Sequence, residues 1–154
     1  FMESLDKKIR NIWIGSSLLV GLIIGSVLGV LTQATVQIVP LTALIVFVPP
    51  AFLVFYSVKR YRNWFFAVHD DHLEINHGVV RKVSMVVPYV RVQHIDTNRG
   101  PLERVLGLAS LRVYTAGSQG ADMRIPGLSR ERAEEMQEDL KKKAIESEQG
   151  FDGV

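Results

Sequence analysis

Histidine and aspartate side chains give this chain of 154 residues its main opportunity for metal or acid–base chemistry. His69 and His72 flank the pair Asp70-Asp71, and His77 follows nearby. Imidazole and carboxylate groups are ligands that zinc and related metals accept. The same pattern is typical of a polar turn between two strands, and His69 and His72 would then lie on different strands with nothing to force them together. We therefore predict a polar turn, with no metal site and no cofactor.

His94 and Asp96 form a second candidate pair. They are two residues apart, so on a strand they share one face and could act as an acid–base pair. A structural hydrogen bond is the interpretation that we favour. The sequence contains no Ser-His-Asp order, no nucleotide-binding glycine loop and no HExxH pattern. We therefore predict a protein without catalytic residues that is not an enzyme. An enzyme would require His69, His72 and His94 to meet an acid in one cleft.

The elements around these residues are of two kinds. Residues 11–58 contain no Asp, Glu, Lys or Arg. Since about 20 apolar residues cross a bilayer, the stretch predicts two transmembrane helices, at about 12–31 and 39–58. The polar link 32–37 is short, which indicates an antiparallel helical hairpin. A cleaved signal peptide is disfavoured, because a second apolar span follows at once and no clear small-x-small site precedes it.

Cations flank the apolar stretch on both sides but are absent from its link. Lys7, Lys8 and Arg10 precede it. The positive-inside rule then predicts a multi-pass protein of the cell membrane with both termini in the cytoplasm. The residues that we predict at the membrane interface, in contact with the lipid bilayer, are Lys59, Arg60, Arg62 and Trp64.

Small residues recur every fourth position in the first helix, at Ser17, Gly21, Gly25 and Gly29. This spacing keeps them near one face, where a second backbone can approach closely. The partner is either the second helix or another subunit. Pro49-Pro50 is predicted to bend or break the second helix.

Residues 59–146 change to short alternating segments with Gly and Asp turns, which indicates an antiparallel sheet or small barrel of about six strands. Ser129 caps a helix with an apolar stripe at Ala133, Met136, Leu140 and Ala144. The predicted fold is an α+β membrane protein. Its predicted parts are a cytoplasmic segment 1–11, a hairpin 12–58, a globular domain 59–146 and a flexible tail 147–154.

Several segments together resemble one family. The two most specific are Val-Gln-His-Ile at 92–95 and Leu-Glu-Arg-Val-Leu-Gly at 102–107, and the others are 66–75 with the turn 77–78, 81–88 and 111–117. Over roughly residues 10–145 the chain is similar to the prokaryotic membrane-flanked pleckstrin-homology-like (PH-like) family of the YdbS type. The resemblance implies a PH-like antiparallel β-barrel or sandwich, closed by a C-terminal amphipathic helix and attached to transmembrane helices. It also implies a larger related partner. A PH barrel has seven strands, one more than the six that the sequence pattern indicates.

Two function classes remain open. The leading hypothesis is a protein-interaction or assembly module in a homo-oligomer or in a hetero-complex with that larger protein. The alternative is an anionic-lipid sensor at the inner leaflet, although Asp70-Asp71 would repel phosphate. The candidate cations for an anionic ligand, which could equally be ordinary surface residues, are Arg81, Lys82, Arg91, Arg99 and Arg104. A net charge of +2 gives little support to a nucleic-acid partner, and without cysteine there is no disulfide framework or thiolate site.

Overall fold

The computed structural model describes residues 2–117 and 123–152, with side chains described as far as residue 150. The chain forms two compact units. One consists of Arg10–Arg62, and the other combines the residues before Arg10 with those after Arg62.

The apolar unit is built from α1 (Lys7–Thr35) and α2 (Val39–Arg62). Both helices are long and apolar enough to cross a membrane, and the predicted spans 12–31 and 39–58 lie within them. The second helix continues through Pro49 and Pro50, so the predicted break does not occur.

The small residues of α1 pack against α2. A Cβ atom at Gly21 would lie 2.4 Å from the Cα of Pro50, and one at Gly25 would lie 2.3 Å from the carbonyl oxygen of Val46. Gly29 faces Val46 as well, and Ser17 and Ser57 share a hydrogen bond between their hydroxyls. Later positions in α1 therefore meet earlier ones in α2, as in an antiparallel pair. Of the two partners considered for this face, the structure supplies the second helix.

The second unit contains two antiparallel sheets. The first has the order β1-β2-β3-β4, and the second has the order β5-β6-β7. The strands are β1 (Glu3–Ser4), β2 (Phe65–Val68), β3 (His72–His77), β4 (Val83–Pro88), β5 (Val92–Asn98), β6 (Leu108–Thr115) and β7 (Met123–Ser129). A short 3₁₀ turn (Tyr89–Arg91) precedes β5, α3 (Pro101–Leu106) follows it, and α4 (Arg130–Asp152) ends the unit.

These elements correct three expectations. Within the described residues no ladder joins the two sheets, so the barrel is not closed. The segment 1–11 is not separate from the globular domain, because Glu3 and Ser4 pair with Phe66 and Phe65 and supply the strand that the sequence pattern lacked. The last helix runs past residue 146 to Asp152, and flexibility of the tail stays a prediction.

The core lies between the inner faces of the sheets and one stripe of α4. Phe66, Leu73 and Ile75 are buried on the first sheet, as are Leu111 and Ile125 on the second. This follows from alternation, since successive strand residues point to opposite faces. From α4 come Ala133, Met136 and Leu140, which confirms the predicted stripe, while Ala144 is half-buried. The predicted cap is also present, as Ser129 Oγ accepts a hydrogen bond from the Arg132 amide at 3.2 Å.

N-terminal residues up to Ile9, which lies in the first turn of α1, contribute to this core. Leu5 and Ile9 are buried. The amide of Asp6 donates to the carbonyl of Gly127 at 2.8 Å. Gly127 has φ +65°, and a Cβ atom there would lie 2.5 Å from Cγ2 of Ile9. The domain is therefore assembled from two stretches of chain, and the apolar helices lie between these stretches in the sequence.

Candidate functional sites

The β2–β3 hairpin brings two histidines together. Asp70 and Asp71 form its turn, and the amide of His69 donates to the carbonyl of His72 at 3.0 Å. Residues opposite each other in an antiparallel pair share a face of the sheet. The two imidazole rings accordingly stack with their centroids 4.3 Å apart. Our expectation that nothing forces these histidines to converge was wrong.

Glu74 completes a cluster on this face, because it lies two residues beyond His72 on the same strand. Its Oε2 is 3.2 Å from Nε2 of His69, and its Oε1 accepts a hydrogen bond from Asn76 Nδ2 at 2.8 Å. One ligand atom each of His69, His72 and Glu74 lie within 4.8 Å of one another. The hydrogen bonds from Asn76 and His69 lower the pKa of Glu74, which keeps this carboxylate ionised.

Asp71 fixes the ring of His72. Its Oδ1 is 2.6 Å from Nδ1 of His72. This hydrogen bond lowers the pKa of the Asp71 carboxyl. Because an ionised carboxylate can only accept a hydrogen bond, Nδ1 of His72 is the donor in this contact, and Nε2 is the ring nitrogen that a metal ion could use.

The backbone of the hairpin is braced by Tyr89 and by α4. Tyr89 is buried and donates its hydroxyl hydrogen to the carbonyl of His69 at 2.6 Å. Burial raises the pKa of Tyr89, so the phenol remains a neutral donor. The Nζ atom of Lys143 lies 3.4 Å from the same carbonyl, 3.9 Å from Oδ1 of Asp70 and 4.0 Å from Oδ2 of Asp139.

The other two histidines lie elsewhere. His94 stands on β5 in the second sheet, where its Nε2 is 2.6 Å from Oδ1 of Asp96. His77 stacks on Trp64 with 5.6 Å between the ring centroids. The three-histidine cleft that an enzyme would need is not formed by His69, His72 and His94. Trp64 is only 5% exposed, so its predicted place at the membrane interface was wrong: it is a core residue of the domain.

A groove of about 780 Å³ runs between α4 and β5, which is an edge strand of its sheet within the described residues. Its walls combine the apolar Val90 and Ile145 with two cations, Arg91 and Lys141, and one carboxylate, Glu148. Val90 and Ile145 are about half exposed, at 51% and 47%. At one point α4 reaches the strand, where Gln137 Nε2 donates to the carbonyl of Ile95 at 3.0 Å. No signal in the sequence identified this groove, because it depends on how the helix packs beside the sheet.

The five candidate cations do not form one site. Lys82 precedes β4 and Arg91 follows it, so a strand of six residues, about 20 Å long, separates them. Arg91 and Arg99 are separated in the same way by β5, and Arg99 donates through Nε to the carbonyl of Leu108. Arg104 lies on α3. Arg81 and Lys82 remain as an exposed pair in the β3–β4 turn.

Two antiparallel sheets followed by a C-terminal helix are the arrangement that the resemblance implies. A comparison with family models decides whether the chain belongs to that family. The family model described as "Bacterial PH domain" matches residues 16–144. The chain belongs to the bacterial PH domain family.

Two curated relatives extend this result. The chain is 33% identical over 85 residues to the UPF0699 transmembrane protein YdbS of Bacillus subtilis (strain 168), and the match covers 55% of the chain and 52% of YdbS. It is 28% identical over 102 residues to the UPF0699 transmembrane protein YdbT of the same organism, and here the match covers 65% of the chain and 21% of YdbT. The chain thus spans about half of one relative and about a fifth of the other. No solved structure matches it. With its two apolar helices, this bacterial PH domain protein is a membrane protein of the YdbS type.

Proposed function

We propose that this bacterial PH domain protein is a non-enzymatic assembly module of the cell membrane, anchored by a helical hairpin that crosses the bilayer twice. The domain is exposed to the cytoplasm, where it binds a segment of another protein. The observation that carries this proposal is the open groove beside the edge strand β5.

The placement of β1 supports two crossings. Ser4 pairs with Phe65 across an antiparallel ladder, and the apolar helices lie between these residues in the chain. A ladder can form only when both of its strands are on the same side of the bilayer. The chain must therefore return to the side from which it enters, which requires an even number of crossings. The cations at both flanks then favour the cytoplasmic side.

The groove offers the features of a site for strand addition. An edge strand has backbone N–H and C=O groups that no neighbouring strand occupies. An extended segment that pairs with β5 would lay alternate side chains against Val90 in the turn before β5 and against Ile145 on α4. Arg91 and Lys141 favour a segment that carries an acidic residue among its apolar ones. The partner that we favour is a second membrane protein with PH-like domains, because YdbS and the longer YdbT both resemble this chain.

Photo-crosslinking in native membranes tests the site. A photoreactive amino acid in place of the exposed Gln93 on β5 should capture the partner, and Ile145→Glu should abolish that product by placing a charge in the groove. Val105→Glu is the matched control, since Val105 is 83% exposed on α3, away from the groove. Equal crosslinking in all three proteins would contradict the proposed site.

One observation favours lipid contact as a second function. The β3–β4 turn presents Val80, which is 94% exposed, directly beside Arg81 and Lys82. The carbonyl of Gly78 in this turn accepts a hydrogen bond from Asn63, the residue that follows α2. An apolar residue beside cations is the composition of a surface that enters an anionic lipid interface.

Labelling in nanodiscs tests this contact. The chain has no cysteine, so Val80→Cys accepts one environment-sensitive dye, and Asp70→Cys places the dye at the other end of the first sheet. Lipid contact predicts a blue shift for the Val80 position with anionic lipid, which weakens at high salt, and no shift for the Asp70 position. The full chain is needed, because a fragment that begins after α2 would lack β1 and the buried Leu5.

A further inference from the structure

We propose that His69, His72 and Glu74 form a binding site for a divalent transition metal ion of the zinc class. The site lies on the outer face of the β2–β3 hairpin. It is independent of the groove, since no residue of the cluster lines it.

The ligand set has the composition that such a metal requires. Two imidazoles and one carboxylate are nitrogen and oxygen ligands suited to zinc, cobalt, nickel or copper. Calcium and magnesium prefer all-oxygen sites, which the two histidines exclude. Nε2 of His69 and Oε2 of Glu74, already 3.2 Å apart, are spaced as two ligands of one tetrahedral ion, for which about 3.4 Å follows from bonds of about 2.0–2.1 Å.

The outer contacts orient the ligands. Asp71 accepts the Nδ1 proton of His72, and Asn76 holds the second oxygen of Glu74. A carboxylate that accepts a hydrogen bond from a ligand histidine selects the tautomer that binds the metal and raises the basicity of that histidine. Loss of such a partner typically costs about 10–100-fold in metal affinity. Surface histidines without a binding role are not expected to have such hydrogen bonds behind their ligand atoms.

Metal binding requires only a local change. The ligand atoms lie within 4.8 Å, and the two imidazole rings are stacked. Ligand atoms of one tetrahedral ion lie about 3.4 Å apart, so small side-chain movements that keep the Asp71–His72 contact would bring the three ligands to one ion. The side chains are 25–36% exposed, so they have room to rotate and a path for the ion to enter.

Nearby charges do not oppose an ion. Lys143 of α4 donates to the backbone carbonyl of His69. The carboxylates of Asp70 and Asp139 lie 3.9 and 4.0 Å from its Nζ atom and partly neutralise its positive charge. Three protein ligands leave at least one coordination position for water or for a side chain from a partner. The hairpin backbone is already held by Tyr89, so the ligands are presented on a rigid turn.

Cobalt binding to the full chain in detergent, purified without a histidine tag, tests the proposal. We expect one Co²⁺ per chain with visible absorption of a nitrogen- and oxygen-ligated site, and displacement by Zn²⁺ but not by excess Mg²⁺. His72→Gln and Glu74→Gln should each weaken binding at least tenfold, and Asp71→Asn should weaken it by about 10–100-fold.

His94→Gln is the matched control, because it removes a histidine that also contacts a carboxylate at 2.6 Å. Its Co²⁺ affinity should equal that of the parent chain. Circular dichroism of each variant confirms that the fold is kept. Absence of stoichiometric Co²⁺ binding, affinity that is unchanged in His72→Gln and Glu74→Gln, or binding that depends on His94 would overturn the proposal. Because none of the three proposed ligands lines the groove, loss of Co²⁺ binding and loss of crosslinking are separate results.

Discussion

Glu3 and Arg132 form an ion pair with two bonds, although one precedes the apolar helices and the other lies in the first turn of α4. Arg132 Nη2 is 2.5 Å from Glu3 Oε1, and its Nε is 3.1 Å from Oε2. A guanidinium and a carboxylate that share two hydrogen bonds stabilise the contact and also fix the relative orientation of the two side chains. The first residues of the chain are thus fastened to the last helix of the domain.

This attachment makes Leu5 important for the domain. Its side chain is 2% exposed, so Leu5→Ala should lower the free energy of unfolding by about 2–4 kcal/mol through lost burial and a cavity. Urea unfolding of the full chain in detergent, followed by hydrogen exchange at β2 and β3, measures the loss. Met2→Ala, at a position 47% exposed, should change the stability by less than about 0.5 kcal/mol. Similar effects at both positions would mean that the N-terminal segment is not docked.

Gly127 should tolerate no side chain. Gly127→Ala combines a positive φ with a Cβ atom that would overlap Ile9, and we expect a loss of about 3 kcal/mol or more. Gly117→Ala is the control, because its φ is +88° but no described atom lies within 4 Å of the new Cβ. It should lose only the conformational part, about 1–2 kcal/mol. Equal losses in the two variants, measured by the same urea unfolding, would contradict the close contact of Ile9.

The sequence predicts most of the domain but not how it begins. Alternation in 72–77 and the stripe of α4 identify those elements, because burial on one face leaves a periodic pattern. The strand β1 has two residues and therefore no period, and its partner Phe65 lies beyond both apolar helices. Trp64 was misplaced for a related reason. An aromatic residue beside cations is typical of a membrane interface, but stacking on His77 is a long-range contact that the sequence does not encode locally.

The contact between α1 and α2 can be tested by adding volume at one glycine. Gly25→Leu would place side-chain atoms on the backbone of Val46, so the helices must separate. A disulfide between Ser17→Cys and Ser57→Cys, whose parent hydroxyls share a hydrogen bond, reports their proximity. We expect its formation to slow at least several-fold in Gly25→Leu and to be unchanged in Gly15→Leu, where no described atom beyond the local helix backbone lies within 4 Å of an added Cβ. Equally fast disulfide formation in both backgrounds would show that this face is not packed.

Tyr89 should stabilise the hairpin through one hydrogen bond. Tyr89→Phe removes the hydroxyl that donates to His69 at 2.6 Å but keeps the buried ring. The expected cost is about 1 kcal/mol, and hydrogen exchange should accelerate at the amide of His69. Tyr114→Phe is the control, because that half-exposed residue lies on β6 in the other sheet. Unchanged exchange at His69 would mean that the hydrogen bond does not brace the turn.

Part of the hairpin cluster follows directly from the sequence. A turn of only two residues, Asp70-Asp71, places His69 opposite His72, and opposite residues share a face. That rule was sufficient to bring the two histidines together. The role of Asn76 in holding Glu74, and the support from Tyr89, depend on side-chain geometry that no spacing rule supplies.

We propose that both flanks of the apolar helices lie on the same, cytoplasmic side of the membrane. Single cysteines at Ser4, Gln37 and Asp70 test it directly with a membrane-impermeant maleimide, because the parent chain has no cysteine. We expect Gln37→Cys to be labelled in intact cells, and Ser4→Cys and Asp70→Cys to be labelled only after the membrane is permeabilised. Labelling of Ser4→Cys and Asp70→Cys from opposite sides would contradict the β1–β2 pairing, and labelling of both in intact cells would contradict the cytoplasmic placement of the domain.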